Sequence, residues 1–206
     1  MKQKLLIFAA FLLLTLGVQA QSLWDSSHPD HAFTFGVRAG LNFASTDMDN
    51  ATSSRTGFHF GGTVDWNIVK SLSVSSGLYY VEKGFKSEYG KGSMRYLQVP
   101  LLASYRLETP KGVMFHLNAG PYFAWGVGGK VDYAPYDLTF TYNYRQDSFG
   151  DKGFFKHADM GLSAGLYILI KHVVLGFNYE LGLADISKVY GKFHNRNTCF
   201  TVGYNF

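Results

Sequence analysis

The chain of 206 residues has one cysteine, Cys199, and five prolines. One thiol cannot form an intramolecular disulfide, so a disulfide-framework scaffold is excluded, and Cys199 reads as a buried structural residue. Past Val18 no apolar run approaches the roughly 20 residues that a membrane-spanning helix needs. That excludes helical spans and leaves strands open. Lysines and arginines are scattered, with no basic run, so no nucleic-acid partner is implied. There is no HExxH motif and no cysteine pair, and no His, Cys, Asp or Glu set with metal-ligand spacing. His28 and His31 flank Pro29-Asp30 without further ligands and read as part of a disordered leader. Neither a cofactor nor an enzyme activity is expected.

The start of the chain has a processing signature. Lys2 and Lys4 precede an apolar stretch from Leu5 to Val18, and Val18-Gln19-Ala20 offers a small-residue cleavage site. Residues 1–20 are therefore expected to be a cleaved signal peptide and residues 21–32 a short periplasmic leader. No cysteine follows the cleavage site, so a lipid anchor is not expected. The formal charge of +4 falls to +2 once Lys2 and Lys4 are removed.

What is abundant is aromatic and glycine: 14 Tyr, 18 Phe and 23 Gly. Eight segments alternate with period 2, namely 33–43, 58–66, 72–80, 97–107, 113–125, 158–168, 173–183 and 200–206. One face of each is apolar, aromatic-rich and free of Asp, Glu, Lys and Arg. The other face carries Arg38, His59, Asp65, Gln98, Arg106, His116, Asp159 and Glu180 among Asn, Ser, Thr and Gly. That many large apolar side chains would overfill an eight-stranded interior, which side chains only just fill. The apolar faces must therefore point outward, into lipid, where a cation at mid-depth costs roughly 2–4 kcal/mol.

The connections support this. Long loops (Ala44–Thr56, Lys83–Arg95, Val127–Lys156 and Ala184–Asn197) alternate with short turns at Val69–Ser71, Glu108–Gly112 and Lys171–His172. This rhythm predicts an all-β, eight-stranded, antiparallel up-and-down transmembrane barrel in the bacterial outer membrane, with both termini periplasmic. Phe43, Phe58, Tyr80 and Trp125 would form the outer aromatic girdle, and Phe33, Trp66, Tyr105 and Phe206 the inner one. Pro100 and Pro121 fall inside strands and require bulges or local breaks. Asp137–Arg145 also alternates, so the third loop is expected to extend the neighbouring strands, with a ten-stranded barrel as the alternative. The last strand, with Tyr204 and the terminal Phe206, resembles the signal read by the barrel assembly machinery.

Three stretches, Tyr96-Leu97-Gln98-Val99-Pro100-Leu101-Leu102, Ala119-Gly120-Pro121-Tyr122 and Phe155-Lys156-His157-Ala158-Asp159-Met160-Gly161-Leu162, resemble landmarks of the PorT-like outer-membrane β-barrel family of Bacteroidetes. Phe35-Gly36-Val37-Arg38-Ala39-Gly40-Leu41-Asn42 is similar to that family's first strand. The resemblance implies an eight-stranded barrel, and one namesake takes part in type IX secretion. Gln98 departs from the acidic residue associated with its position.

Two expectations about function follow. The inward set would form an ion-pair plug, with two arginines against three carboxylates, rather than a proton- or ion-conducting constriction. The third loop, with Tyr133, Tyr136, Phe140, Tyr142, Tyr144 and Phe149, would supply contact residues. The protein would then be a structural, adhesive or partner-binding surface barrel, touching outer-membrane lipid and an extracellular or envelope protein. The alternatives are a component of an envelope assembly such as a secretion system, a small pore, or a lipid-modifying enzyme.

Overall fold

In the computed structural model, residues 24–46, 53–87, 90–133, 144–188 and 193–206 are described, with Ser87, Tyr133 and Tyr144 by backbone alone. The expected signal peptide, 1–20, lies outside the described residues. The strands are β1 (Phe33–Thr46), β2 (Ser53–Val69), β3 (Leu72–Ser87), β4 (Gly90–Glu108), β5 (Val113–Tyr133), β6 (Tyr144–Asp147), β7 (Ala158–Ile170), β8 (Val173–Gly182) and β9 (Asn195–Asn205). Each long strand hydrogen-bonds antiparallel to its neighbours. The ring closes where β1 meets β9, from Gly36↔Asn205 to Thr46↔Asn195. Eight strands make the barrel. β6 lies off the ring, paired to the far stretch of β5 from Lys130↔Asp147 to Tyr133↔Tyr144, so the eight-stranded expectation holds over the ten-stranded one.

The long loops are shorter than expected. Lys83–Arg95 is not a loop: β3 and β4 run on as a ladder from Lys83↔Met94 to Ser87↔Gly90. β1 likewise continues to Thr46, β2 begins at Ser53, and β9 begins at Asn195. About 9–11 tilted residues suffice to cross a membrane. β4 and β5, with 19 and 21 residues, therefore reach far beyond it at the loop end. Sequence reading stopped these strands where the apolar alternation stopped, but ladder hydrogen bonds do not require a lipid-facing side chain.

Burial is inverted relative to a water-soluble fold. Phe35, Leu41, Phe60, Trp66, Leu101, Phe123, Leu162, Val202 and Phe206 are exposed on the outer wall, while Arg38, Asn42, His59, Asp65, Gln98, Asp159 and Glu180 are buried inside. This is the arrangement a hydrocarbon solvent selects.

The turn end is tight, and both Trp24 and Phe206 lie there. Gly112 adopts φ +72 and Lys171 φ 57, the left-handed conformations that short hairpin turns use. Residues 24–32, expected to be disordered, are docked. Ser71 N donates to Asp25 O (3.1 Å), Lys70 N to Ser27 O (3.1 Å) and Asn67 N to Ala32 O (2.8 Å). Asp25 N donates to Ser71 Oγ (2.8 Å) and Asn67 Nδ2 to the His31 carbonyl (2.8 Å). Trp24 stacks on Tyr105 at 6.2 Å. Residues 24–32 thus strap the β2–β3 turn.

Both awkward prolines sit at breaks in the ladders. The β3–β4 register passes from Ser76↔Leu101 to Tyr79↔Gln98, and the β4–β5 register from Pro100↔Tyr122 to Ala103↔Ala119. Pro121 still pairs with Leu162 on its other side. Ser76, a hydroxyl on an otherwise apolar face, donates to the Pro100 carbonyl at 2.8 Å and satisfies an acceptor the ladder leaves over. In hydrocarbon such an acceptor has no water to turn to. Ser76→Ala should therefore lower the unfolding free energy in lipid vesicles by about 1–3 kcal/mol. Ser76→Thr, which keeps the hydroxyl, should stay near wild type in the same denaturant titration.

Candidate functional site

Glycine makes room in the lumen, and aromatic rings take that room. Tyr79 lies between Gly61 and Gly77, where an added Cβ would stand 2.9 and 3.1 Å from its ring atoms, and Tyr167 lies directly on Gly176. These two tyrosines line both lumen cavities, of about 40 and 50 Å³. Each has space for a few water molecules and no more. The lumen is therefore a packed core with two small polar-lined pockets, as expected at eight strands.

Above the upper pocket sits a charge cluster centred on Lys83. Its Nζ lies 3.1 Å from Glu180 Oε2 and 3.7 Å from Asp159 Oδ2, with the Lys83 and Asp159 side chains fully shielded from solvent. Gln98 Nε2 donates to Glu180 Oε1 (2.6 Å), Asn197 Nδ2 to Glu180 Oε2 (3.0 Å) and Asn195 Nδ2 to Asp159 Oδ2 (2.9 Å). The ammonium also lies 4.3 Å from the Tyr122 ring centroid and 5.6 Å from that of Tyr96, a cation–π arrangement that compensates part of its lost hydration. Gln98 acts as a neutral donor to Glu180.

The expected pairing is corrected here. Asp159 and Glu180 pair with Lys83, which sequence reading placed in a loop, and not with the arginines. Arg38 spends its donors on Asn205 Oδ1 (2.7 Å) and on the Val37 and Tyr204 carbonyls (3.1 and 3.3 Å). Arg106 donates to Asn67 Oδ1 (2.7 Å) and the Val69 carbonyl (2.6 Å). Among the described residues neither arginine has a carboxylate within 4.0 Å. Arg38, Asp65 and His116 line the lower pocket with Asn118 and Asn205. His59 links Asn42 Oδ1 (2.5 Å) to Thr201 Oγ1 (3.0 Å) across the barrel. Adding Lys83 makes the lumen count three cations against three carboxylates. The excess of positive charge lies toward the turn end and that of negative charge toward the loop end. Extending the inward phase of β3, Tyr79-Val81-Lys83-Phe85, would have found it.

Over this cluster lies an apolar cap. Phe85, Met94, Tyr96, Tyr122, Val131, Phe149, Phe155, Ile186 and Phe193 form one buried group. Phe149 packs edge-on to Tyr96 at 5.4 Å, and Phe155 meets Phe193 at 5.0 Å. An added Cβ at Gly126 would collide with the Phe149 ring, so that glycine lets the ring descend into the barrel mouth. The two loop segments are tied by Lys156 N to Ile186 O (2.8 Å) and Lys188 N to Phe154 O (3.0 Å). Asp185 Oδ1 accepts from the amides of Ser187 and Phe193, both 3.1 Å. Those bonds hold its carboxyl below the usual aspartate value of 3.8. Their contribution is present above that value and is lost as pH falls through the lower folded one.

The loop candidates separate. Phe149 is not an exposed contact residue but part of the cap. Tyr133 and Tyr144 face each other in the β5–β6 register, and Tyr136, Phe140 and Tyr142 lie outside the described residues. At the turn end Tyr204 stacks on His172 (5.3 Å), Phe206 packs against Tyr204 (5.5 Å), and Phe206 N donates to Phe35 O (2.9 Å). One hydrolase-like spelling, Gly161-Leu162-Ser163-Ala164-Gly165, escaped the sequence reading. It lies along β7 rather than at a strand–turn–helix elbow, and Ser163 Oγ accepts from Asn178 Nδ2 at 3.4 Å. It is a lumen residue, and among the described residues no histidine or carboxylate hydrogen-bonds to it.

Lys83→Met leaves Asp159 and Glu180 without their counter-charge and should destabilise the barrel by about 3–5 kcal/mol. Adding Asp159→Asn and Glu180→Gln to the same chain should restore most of that loss, measured by denaturant unfolding in vesicles.

With the geometry in hand, comparison with known proteins is informative. The sequence profile described as "Outer membrane protein beta-barrel domain" matches residues 19–188. Among solved structures, Ail, the attachment invasion locus protein of Yersinia pestis, aligns with TM-score 0.50 and 15% identity over 85% of this chain and 100% of that one. The same protein in complex with the heparin analogue sucrose octasulfate aligns with TM-score 0.50 and 13% identity over 85% of this chain and 100% of that one. Neisserial surface protein A gives TM-score 0.46 and 14% identity, covering 85% of this chain and 98% of that one. At such identities the likeness is one of fold. No curated protein matches the chain. The profile spans most of the sequence, and the closed, lipid-facing barrel agrees with it: the protein resides in the bacterial outer membrane and belongs to the outer membrane protein beta-barrel domain family.

Proposed function

We propose that the protein is a sealed surface barrel that acts through its loop end as an adhesive or partner-binding platform, with both termini periplasmic. The observation that carries this reading is the double seal, an aromatic cap over a compensated charge cluster. A barrel closed in this way has its outer surface left for work. The far stretches of β4, β5 and β6 provide a preformed ribbon there, which lowers the ordering cost of binding. Ail, described as an attachment protein and seen with a heparin analogue, gives that role a precedent on the same fold. Within the family we place the chain with the PorT-like barrels of Bacteroidetes, on the landmarks around Pro100, Pro121 and Asp159. The described lumen residues are engaged in ion pairs and hydrogen bonds, which supports a binding rather than an enzymatic reading.

Replacing residues 134–143 by a short Gly-containing turn removes Tyr136, Phe140 and Tyr142 and leaves Val131 and Phe149 in the cap. The variant should remain heat-modifiable on gels yet lose surface adhesion and the proteins that co-purify with wild type from detergent extracts. Unchanged adhesion and co-purification would exclude this loop as the contact element. Recovery of a defined set of secretion-machinery proteins instead would move the assignment to an envelope assembly.

We assign Tyr204 and Phe206 to recognition by the barrel assembly machinery. Deleting Phe206 should sharply reduce folded protein in the outer membrane while leaving refolding of purified chain in detergent nearly unchanged. Equal loss in both settings would make Phe206 a packing residue only.

A further inference from the structure

The outward face of the β3–β6 ribbon carries more cation than its own carboxylates answer. One cross-strand row reads Lys86, Lys91, Asp132, Arg145. Lys91 Nζ and Arg145 Nε approach the single Asp132 carboxylate at 3.8 and 3.6 Å, and their side chains are 66% and 67% exposed. Lys86 stands directly opposite Lys91, and like charges so placed repel each other. Nearer the barrel, Arg95 faces Glu82, and Lys130 faces Ser93 on one side and Asp147 on the other; Glu82 is held by Arg55 at 2.9 Å, so these cations outnumber the carboxylates beside them. Among the described residues no carboxylate lies within 4.0 Å of Lys86, Arg95 or Lys130. Glu88, in the β3–β4 connection, lies outside the described residues.

Direction and height are fixed by the fold. The alternate residues Phe85, Met94 and Val131 are buried in the cap, so the cationic phase must face outward. Arg95 stands two residues before the lipid-facing Leu97, toward the loop end, and Lys91 six, about 7 and 20 Å along the strand at the usual rise. With barrel strands tilted by roughly 35–45°, and in the orientation proposed above, that interval lies level with the headgroups of the surrounding leaflet. A ligand presented sideways at that height is most directly a lipid of the same leaflet, and Lys and Arg clusters of this kind match phosphate.

We infer that this face binds the phosphorylated glycolipid of the outer leaflet, its phosphates lying against Lys86, Lys91 and Arg145 with Arg95 and Lys130 below. The inference rests on the orientation proposed above, with the loop end outside. The test is binding of lipid A to the full mature chain refolded in detergent micelles, read as a dissociation constant and as lipid copies retained in native mass spectrometry. Because micelles impose no orientation, failure here is separable from failure of the orientation, which a surface-accessible tag reports. Wild type should bind lipid A but neither its dephosphorylated form nor a phosphorylated oligosaccharide without acyl chains at comparable affinity. The triple variant Lys86→Gln, Lys91→Gln, Arg145→Gln should weaken binding about tenfold or more, the scale of one charge-assisted contact. The matched variant Lys70→Gln, Lys111→Gln, Lys171→Gln, on the turn end, should bind like wild type. If the first triple fails to become heat-modifiable, Arg145→Gln alone, together with the salt dependence of wild-type binding, takes its place. Equal binding of dephosphorylated lipid, equal loss in the turn-end variant, or equal affinity for the acyl-free oligosaccharide would each overturn the assignment.

Discussion

In hydrocarbon a backbone amide or carbonyl without a partner costs several kcal/mol, and no water is there to relieve it. The rest of this structure depends on that constraint. It requires the β1–β9 seam to close, and closing eight strands fixes a lumen that side chains must fill. It requires lipid-facing side chains to be apolar, which pushes the polar ones inward. It also explains Ser76: where proline interrupts the ladder, the serine hydroxyl on that face donates to the Pro100 carbonyl.

The crowded interior sets the next requirement. Charges taken into the lumen must be answered there, because burial leaves them little solvent and an unpaired one is costly. Lys83 meets the need of Asp159 and Glu180, and neutral amides donate to both Glu180 oxygens and to Asp159 Oδ2. Above that cluster the aromatic cap replaces water with packed rings. The barrel is thus closed twice over by different physics, electrostatic compensation below and apolar packing above. The same β3–β6 extension that buries Phe85, Met94 and Val131 inside turns Lys86, Lys91 and Arg145 outward, so the seal and the cationic face are two sides of one ribbon.

Much of this was legible in the sequence because lipid writes a strict period-2 pattern. Strand number, side orientation, the inward placement of Arg38, His59, Asp65, Gln98, Arg106, His116, Asp159 and Glu180, and the off-pattern prolines all follow from it. The pattern fades where the barrel leaves the membrane. Lys83 was therefore assigned to a loop although it is the centre of the charge cluster, and Phe149 was assigned to an exposed surface although it is packed in the cap. Both positions owe their environment to ladder pairing and loop–loop contacts rather than to lipid. Residues 24–32 leave no periodic trace in the sequence, because their anchors are backbone carbonyls, the Asp25 amide and one ring stack.

Ion conductance through single barrels in a planar bilayer is the most direct measure of the seal. The double closure predicts no resolvable current steps for the folded protein at moderate voltage and neutral pH. Steady, reproducible conductance steps from heat-modifiable, correctly folded protein would contradict it.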